Sequence, residues 1–112
     1  MRSSEDFRVT VRHGVKAAGP TLVSHVVLPA GVDAGPEDGR VTSVGFVVSR
    51  GVGSSVDRNR VKRRLRHLMR PRLAEAPVGS RIVVRALPAA KDATSETLAA
   101  DLDETLRRVG AR

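Results

Sequence analysis

Apolar positions recur along this chain with two periods, and the change from one to the other marks out its elements. The β-branched run Thr21-Leu22-Val23-Ser24-His25-Val26-Val27-Leu28 predicts a strand. A second long strand is predicted over residues 41–50, where Val44-Gly45-Phe46-Val47-Val48 is apolar enough to be central. Ile82-Val83-Val84-Arg85-Ala86-Leu87 predicts a third, ending at Pro88.

Helical spacing appears three times. Residues 4–13 carry Phe7 and Val11 four apart, with Ser3 and Asp6 as a capping box and Gly14 as the stop. Val61, Leu65, Leu68 and Met69 fall at i, i+4, i+7 and i+8, the stripe that buries one side of a helix. Ser54 and Asp57 predict the box that caps this helix, and Pro71 predicts a stop or kink near Arg70. Leu98, Leu102, Leu106 and Val109 keep the stripe over residues 95–109, closed by Gly110. Residues 29–39, with three glycines, two prolines and three acids, read as a flexible loop.

The order is that of one α+β domain over residues 1–112, with strand, helix and strand as a crossover unit. A chain of 112 residues builds a single modest core, and only two aromatics, Phe7 and Phe46, are available to anchor it or to stack on bases. There is no cysteine, which excludes disulfides and thiolate metal sites. No apolar stretch approaches the roughly 20 residues needed to cross a bilayer, and the N-terminus lacks a signal peptide's apolar core. A soluble protein of the cytoplasm is expected, with no membrane partner.

Charge changes the picture most. From Arg58 to Arg72 there are eight Lys or Arg residues and no acid, in a chain with 20 basic and 12 acidic residues and a net charge of +8. At about 100° per residue, Asn59, Arg63, Arg66, His67 and Arg70 project opposite the apolar stripe, with Arg60 beside them and Lys62 and Arg64 on its flanks. Such a helix suits a polyphosphate backbone, because guanidinium forks meet phosphate oxygens bidentately. Neutralising on the order of six phosphates would give a log-log salt slope of about −4 to −5. The bland alternative is a solvated face that merely aids solubility.

Catalytic chemistry is not visible. His13, His25 and His67 stand apart from one another, and Gly51-Val52-Gly53-Ser54-Ser55 lacks the lysine of a phosphate-binding loop, so it reads as a capped turn. Asp101, Asp103 and Glu104 read as a solvated helix face rather than a metal cluster. No catalytic residue and no metal ligand is predicted.

Ser43-Val44-Gly45-Phe46-Val47-Val48-Ser49-Arg50, then Val52-Gly53, then Arg58-Asn59-Arg60-Val61-Lys62-Arg63-Arg64-Leu65-Arg66 resembles the signature of the bacterial ribonuclease P protein subunit. Asp6-Phe7 followed by Arg12-x-Gly14 is similar to the family's first helix, and Ile82-Val83-Val84 followed by Ala86-x-Pro88 to its last strand. The resemblance covers nearly the whole chain. It implies an α-β-β-β-α-β-α sandwich like domain 2 of ribosomal protein S5, with a short first strand near Val15 to Ala18. It also implies a left-handed crossover around the basic helix, against the usual right-handed rule.

The implied function is to assist an RNA enzyme that removes the 5′ leader of precursor transfer RNA, the chemistry belonging to the RNA with Mg2+. Partners would be that catalytic RNA and the precursor, with no protein partner required. On this resemblance Arg58, Asn59, Arg60, Lys62, Arg63, Arg64, Arg66 and Arg70 contact the catalytic RNA. Asn59 either reads a nucleotide edge or makes a local capping contact.

Phe7, Arg8, Val11, Arg12, His25, Ser49 and Arg50 are the implied leader contacts. Phe7 either stacks on an unpaired base or packs in the core. Val11 stands where the family often has a second aromatic, His25 where some members have tyrosine, and Gly51 where a further cation is common. The chain begins closer to Asp6-Phe7 than is usual in the family, so a basic extension ahead of it is expected to be absent or trimmed. Two rival classes are a structural RNA-binding protein and a DNA-binding module. The second requires a supporting helix and turn, whereas strands bracket this helix.

Overall fold

A computed structural model describes residues 15–27 and 42–111. Four strands form one mixed sheet in the order β1-β2-β4-β3: β1 is Val15–Ala18, β2 Leu22–Val27, β3 Ser43–Val47 and β4 Arg81–Ala86. The pairs β1–β2 and β2–β4 are antiparallel, and β3 runs parallel to β4. The connection from β3 to β4 is the 3-10 turn Arg50–Val52 followed by helix α1, Ser55–Leu73. After β4 come a second 3-10 turn, Pro88–Lys91, and helix α2, Ser95–Arg108. The helix read over residues 4–13 and the loop at 29–39 lie outside the described residues.

Register sorts the strand residues onto two faces. Leu22, Ser24 and Val26 of β2 pair with Ala86, Val84 and Ile82 of β4, and Val44 and Phe46 of β3 continue that face. Val61, Leu65 and Met69 of α1 and Leu98, Leu102 and Leu106 of α2 pack on it, and all of these helix residues are buried. Leu65, wholly buried, would cost about 2–5 kcal/mol if cut to alanine. The periodicity therefore identified the right stripe on both helices.

One buried polar contact crosses this core. Thr105 donates its hydroxyl to the Asp101 carbonyl at 2.8 Å, so the 2.8 Å contact between Ser24 Oγ and Thr105 Oγ1 must be donated by Ser24. Beside it, Asp101 accepts from both the amide and the hydroxyl of Thr21, and Arg108 reaches the Ala18 carbonyl at 3.1 Å. These contacts clasp α2 to the β1–β2 hairpin.

Three boundaries differ from expectation. The predicted long second strand ends at Val47, because residues 50–52 turn back in a 3-10 geometry with Val52 buried. The last strand spans Arg81–Ala86 and ends one residue early, although the Leu87 amide still donates to the Thr21 carbonyl at 2.8 Å, one pair beyond Leu22 and Ala86. Of the stop or kink expected near Arg70, the stop does not occur: the basic helix runs through Pro71 to Leu73. Pro71 lies within the last turn, where only one intrahelical bond is lost, and Arg72 braces that turn as described below.

Candidate nucleic-acid interface

The start of α1 is built by Gly53, Ser54 and Asp57. Ser54 caps the helix by accepting from the Asp57 amide at 3.2 Å, while its own amide and hydroxyl donate to Asp57 Oδ2 at 3.1 and 2.9 Å. These hydrogen bonds, the backbone one foremost, hold the Asp57 carboxyl below the usual carboxylate range. Gly53 precedes them at φ 153°, a conformation that side-chain-bearing residues rarely adopt. The sequence predicted the box; that Gly53 must be glycine to admit it was not legible there.

From this start the polar side chains of α1 divide into three sets. Asn59, Arg60, Arg63, Arg66, His67 and Arg70 are exposed and form the arc opposite the buried stripe. Arg64 and Arg72 turn toward the other elements: Arg64 Nη1 donates to the Ala93 carbonyl at 3.1 Å, and Arg72 pairs with Asp103 of α2 at 2.7 Å. On the same side Asp57 meets Lys91 at 3.8 Å, tying the second 3-10 turn to the helix.

Arg58 forms the third set with Lys62. By helical rotation Arg58 lies only about 20° from the axis of Leu65, on the inward side, and it is half-buried. It donates to Ser55 Oγ at 3.1 Å, while its Nε is buried with no hydrogen-bond partner among the described residues. Val48, Ser55, Arg58, Asn59 and Lys62 line a cavity of about 330 Å³ between the end of β3 and the first turns of α1. A concavity holding two cations, an amide and an orphaned guanidinium donor is suited to an anionic oxygen.

The other sheet face carries Lys16, His25, Val83 and Gly45 in one register row, with Arg85 and Val47 in the next. His25 and Val83 are buried, 6% and 1% exposed, although both described helices pack on the opposite face. Burial, then the positive charges of Arg85 and Lys16, push the His25 imidazole below its ordinary pKa. It is therefore neutral at pH 7, and its buried Nδ1 has no hydrogen-bond partner among the described residues. Ser49 and Arg50 are exposed beyond the end of β3, two strands away from β2, or about 10 Å. Phe7, Arg8, Val11 and Arg12 lie outside the described residues.

The acidic residues read from their spacing as a solvated face fare differently. Asp101 is held by Thr21, Asp103 is bound by Arg72 with its side chain still 42% exposed, and Glu104 sits on the surface, paired with Arg107 at 2.7 Å. Among the described residues no group of three or more His, Asp or Glu is placed to hold a metal ion. No helix among them is long and apolar enough to cross a membrane.

A family model described as Ribonuclease P matches residues 1–110. A curated protein of Streptomyces avermitilis named "Ribonuclease P protein component" is 52% identical over 100% of this chain and 94% of its own length. One of the same name from Streptomyces griseus is 48% identical, again over 100% and 94%. Among solved structures, the RNase P protein of Staphylococcus aureus superposes with a TM-score of 0.81 over 99% of this chain and 94% of that one, at 22% identity. That of Thermotoga maritima gives 0.73 over 93% and 91%, also at 22%. At such identity the superpositions speak for the fold.

Proposed function

This chain belongs to the ribonuclease P protein family, subunits of the endoribonuclease that matures the 5′ end of transfer RNA, and on that premise we propose how its surfaces divide the work. The exposed arc of α1, Asn59, Arg60, Arg63, Arg66 and Arg70, lies along the backbone of the ribonuclease P RNA, with Arg58 and Lys62 seating one phosphate oxygen in the adjoining cavity. The observation that carries this reading is the sorting of cations on α1. The arc is exposed and fixed to a braced helix, while Arg64 and Arg72 point inward.

The second sheet face takes the unpaired 5′ leader of the precursor. Lys16, Arg81 and Arg85 supply charge there, Ser49 and Arg50 extend the track past β3, and His25, expected among the leader contacts, lies 6% exposed beneath this surface as a neutral ring. Phe7 and Arg12 complete this set by their match to the family motif, with Arg8 and Val11 beside them, Val11 standing where the family often has a second aromatic. Arg64, expected among the RNA contacts, donates one guanidinium nitrogen to the Ala93 carbonyl and so also holds α1 against that loop.

Among the described residues no group of three or more His, Asp or Glu is placed to hold a metal ion, and Asp101, Asp103 and Glu104 are committed to Thr21, Arg72 and Arg107. Mg2+ and the hydrolytic chemistry are assigned to the RNA and substrate, and no further protein partner is invoked. The cytoplasm is the proposed location. The β3–α1–β4 crossover is assigned the left hand and the arrangement of domain 2 of ribosomal protein S5; a parallel β3–β4 pair bridged by α1 supports a crossover.

The test is the rate of cleavage of a 5′-labelled precursor transfer RNA by cognate ribonuclease P RNA at low magnesium, with and without the protein. A large gain at the correct junction is expected. Tight RNA binding without any gain would move the chain to the class of structural RNA binders. For the leader, Phe7→Ala should weaken binding of precursor but not of mature transfer RNA.

A further inference from the structure

Pro71 removes one amide from the last turn of α1, so the His67 carbonyl loses its usual partner four residues on, and the ring presses on that carbonyl. The helix nevertheless continues to Leu73. The residue after the proline explains how. Arg72 uses all three guanidinium nitrogens inside the protein: Nη1 donates to the Leu68 carbonyl at 2.6 Å, Nε to Asp103 Oδ1 at 2.7 Å and Nη2 to Asp103 Oδ2 at 3.2 Å. The fork thus splints the turn that Pro71 weakens and bolts it to α2. There Asp103 follows Leu102, which is wholly buried and fixed in the core. The Arg72 side chain is only 15% exposed, so it presents little of itself to a partner.

We propose that Arg72, through Asp103, is a positioning residue for RNA recognition: it does not touch RNA but sets the pose of the final turns of α1, from which Arg66 and Arg70 project. This rests on the reading that the exposed arc of α1 contacts RNA. A planar fork is required, because one lysine amine cannot span a carbonyl on its own helix and both oxygens of a carboxylate on the next.

Asp103→Asn separates positioning from simple charge. Removing an acid makes the protein one unit more positive and frees Arg72, so a purely electrostatic surface would bind RNA more tightly. Positioning predicts the opposite sign. Affinity for the cognate ribonuclease P RNA should fall by roughly 3- to 10-fold, the range for losing a charge-assisted pair. The salt slope should stay unchanged, and binding to poly(U), which demands no fixed pose, should be equal or tighter. Asp103→Glu should restore most of the cognate affinity, and Arg72→Lys should not.

Cognate binding by Asp103→Asn that equals or exceeds wild type would overturn the proposal. So would a salt slope reduced by about one in Arg72→Gln, the mark of a lost direct phosphate contact. Thermal melts confirm folding, and Arg72→Gln, read by the same cognate-to-poly(U) comparison, replaces Asp103→Asn should the latter not fold. Arg63→Gln with Arg66→Gln is the control. If that pair leaves cognate binding intact, the RNA-face reading fails; if it weakens binding while Asp103→Asn does not, only the positioning role fails.

Discussion

A Cβ on Gly53 would stand 2.6 Å from Asp57 Oδ2, the oxygen that closes the cap of the basic helix. The clash is with the functional end of the cap, and backbone at φ 153° adds its own strain. Gly53→Ala should therefore lose both the box and the local geometry, destabilising the fold by about 1–3 kcal/mol in urea titrations. Asp57→Ala should cost less, because the Ser54 side chain still has a free amide to accept from. An equal or smaller effect of Gly53→Ala would mean that the turn relaxes around the added methyl.

His25 sets a pH dependence whose sign follows from its lowered pKa. The folded protein binds the proton less readily than the unfolded chain, in which the imidazole titrates near its ordinary 6.5. Its contribution is complete above that pH and is lost as the pH falls through 6.5 toward the lower folded value. Melting temperature measured from pH 8 to pH 5 should drop on the acid side, and His25→Gln should flatten that limb. A limb equally steep in the variant would assign the effect to other groups.

Thr105→Val keeps the shape of the buried α2 contact but removes the acceptor of the Ser24 hydroxyl. A buried donor left without a partner costs about 1–3 kcal/mol, whereas Thr105→Ser, which retains the oxygen, should lose only the methyl packing. Chemical denaturation of both variants provides the comparison. Restoring stability by adding Ser24→Ala to Thr105→Val would identify the stranded hydroxyl as the cause.

Arg63→Gln together with Arg66→Gln should reduce the log-log salt slope of RNA binding by about 1.5, since each side chain is placed to neutralise one phosphate. Fluorescence anisotropy over a range of salt concentrations measures the slope directly. A lower affinity at unchanged slope would show that the pair acts through helix geometry rather than ion release.

The stripe Val61-Leu65-Met69 and the cap at Ser54 and Asp57 were readable because helical spacing and capping chemistry are local. So was the exposed arc, which is the complement of the stripe on one helix. What the sequence hid depends on distant chain segments. Arg72 looked like one more cation in a run, and Asp103 like one more acid on a surface, because their pairing joins two helices 31 positions apart. Asp101 was misread for the same reason, its partner Thr21 lying 80 positions away. Arg58 is a different case: the 100° rotation already placed it near Leu65, but it was counted only by its place in the family motif and not by its side of the helix. Pro71 was read by its usual effect, and the side chain that offsets that effect is its own neighbour.

The β2–β4 pairing fixes the order in which this protein can be finished during synthesis. Leu22 finds its partner Ala86, and Ser24 its partner Thr105, only after most of the chain has left the ribosome. The basic segment is made in between, so a nascent chain displays its cations before the sheet that will carry them can close. Contacts this remote in sequence are slow to form. RNA that engages the segment at that stage would meet a helix not yet bolted to its neighbours, and assembly with RNA and completion of the fold would then compete in time for the same element.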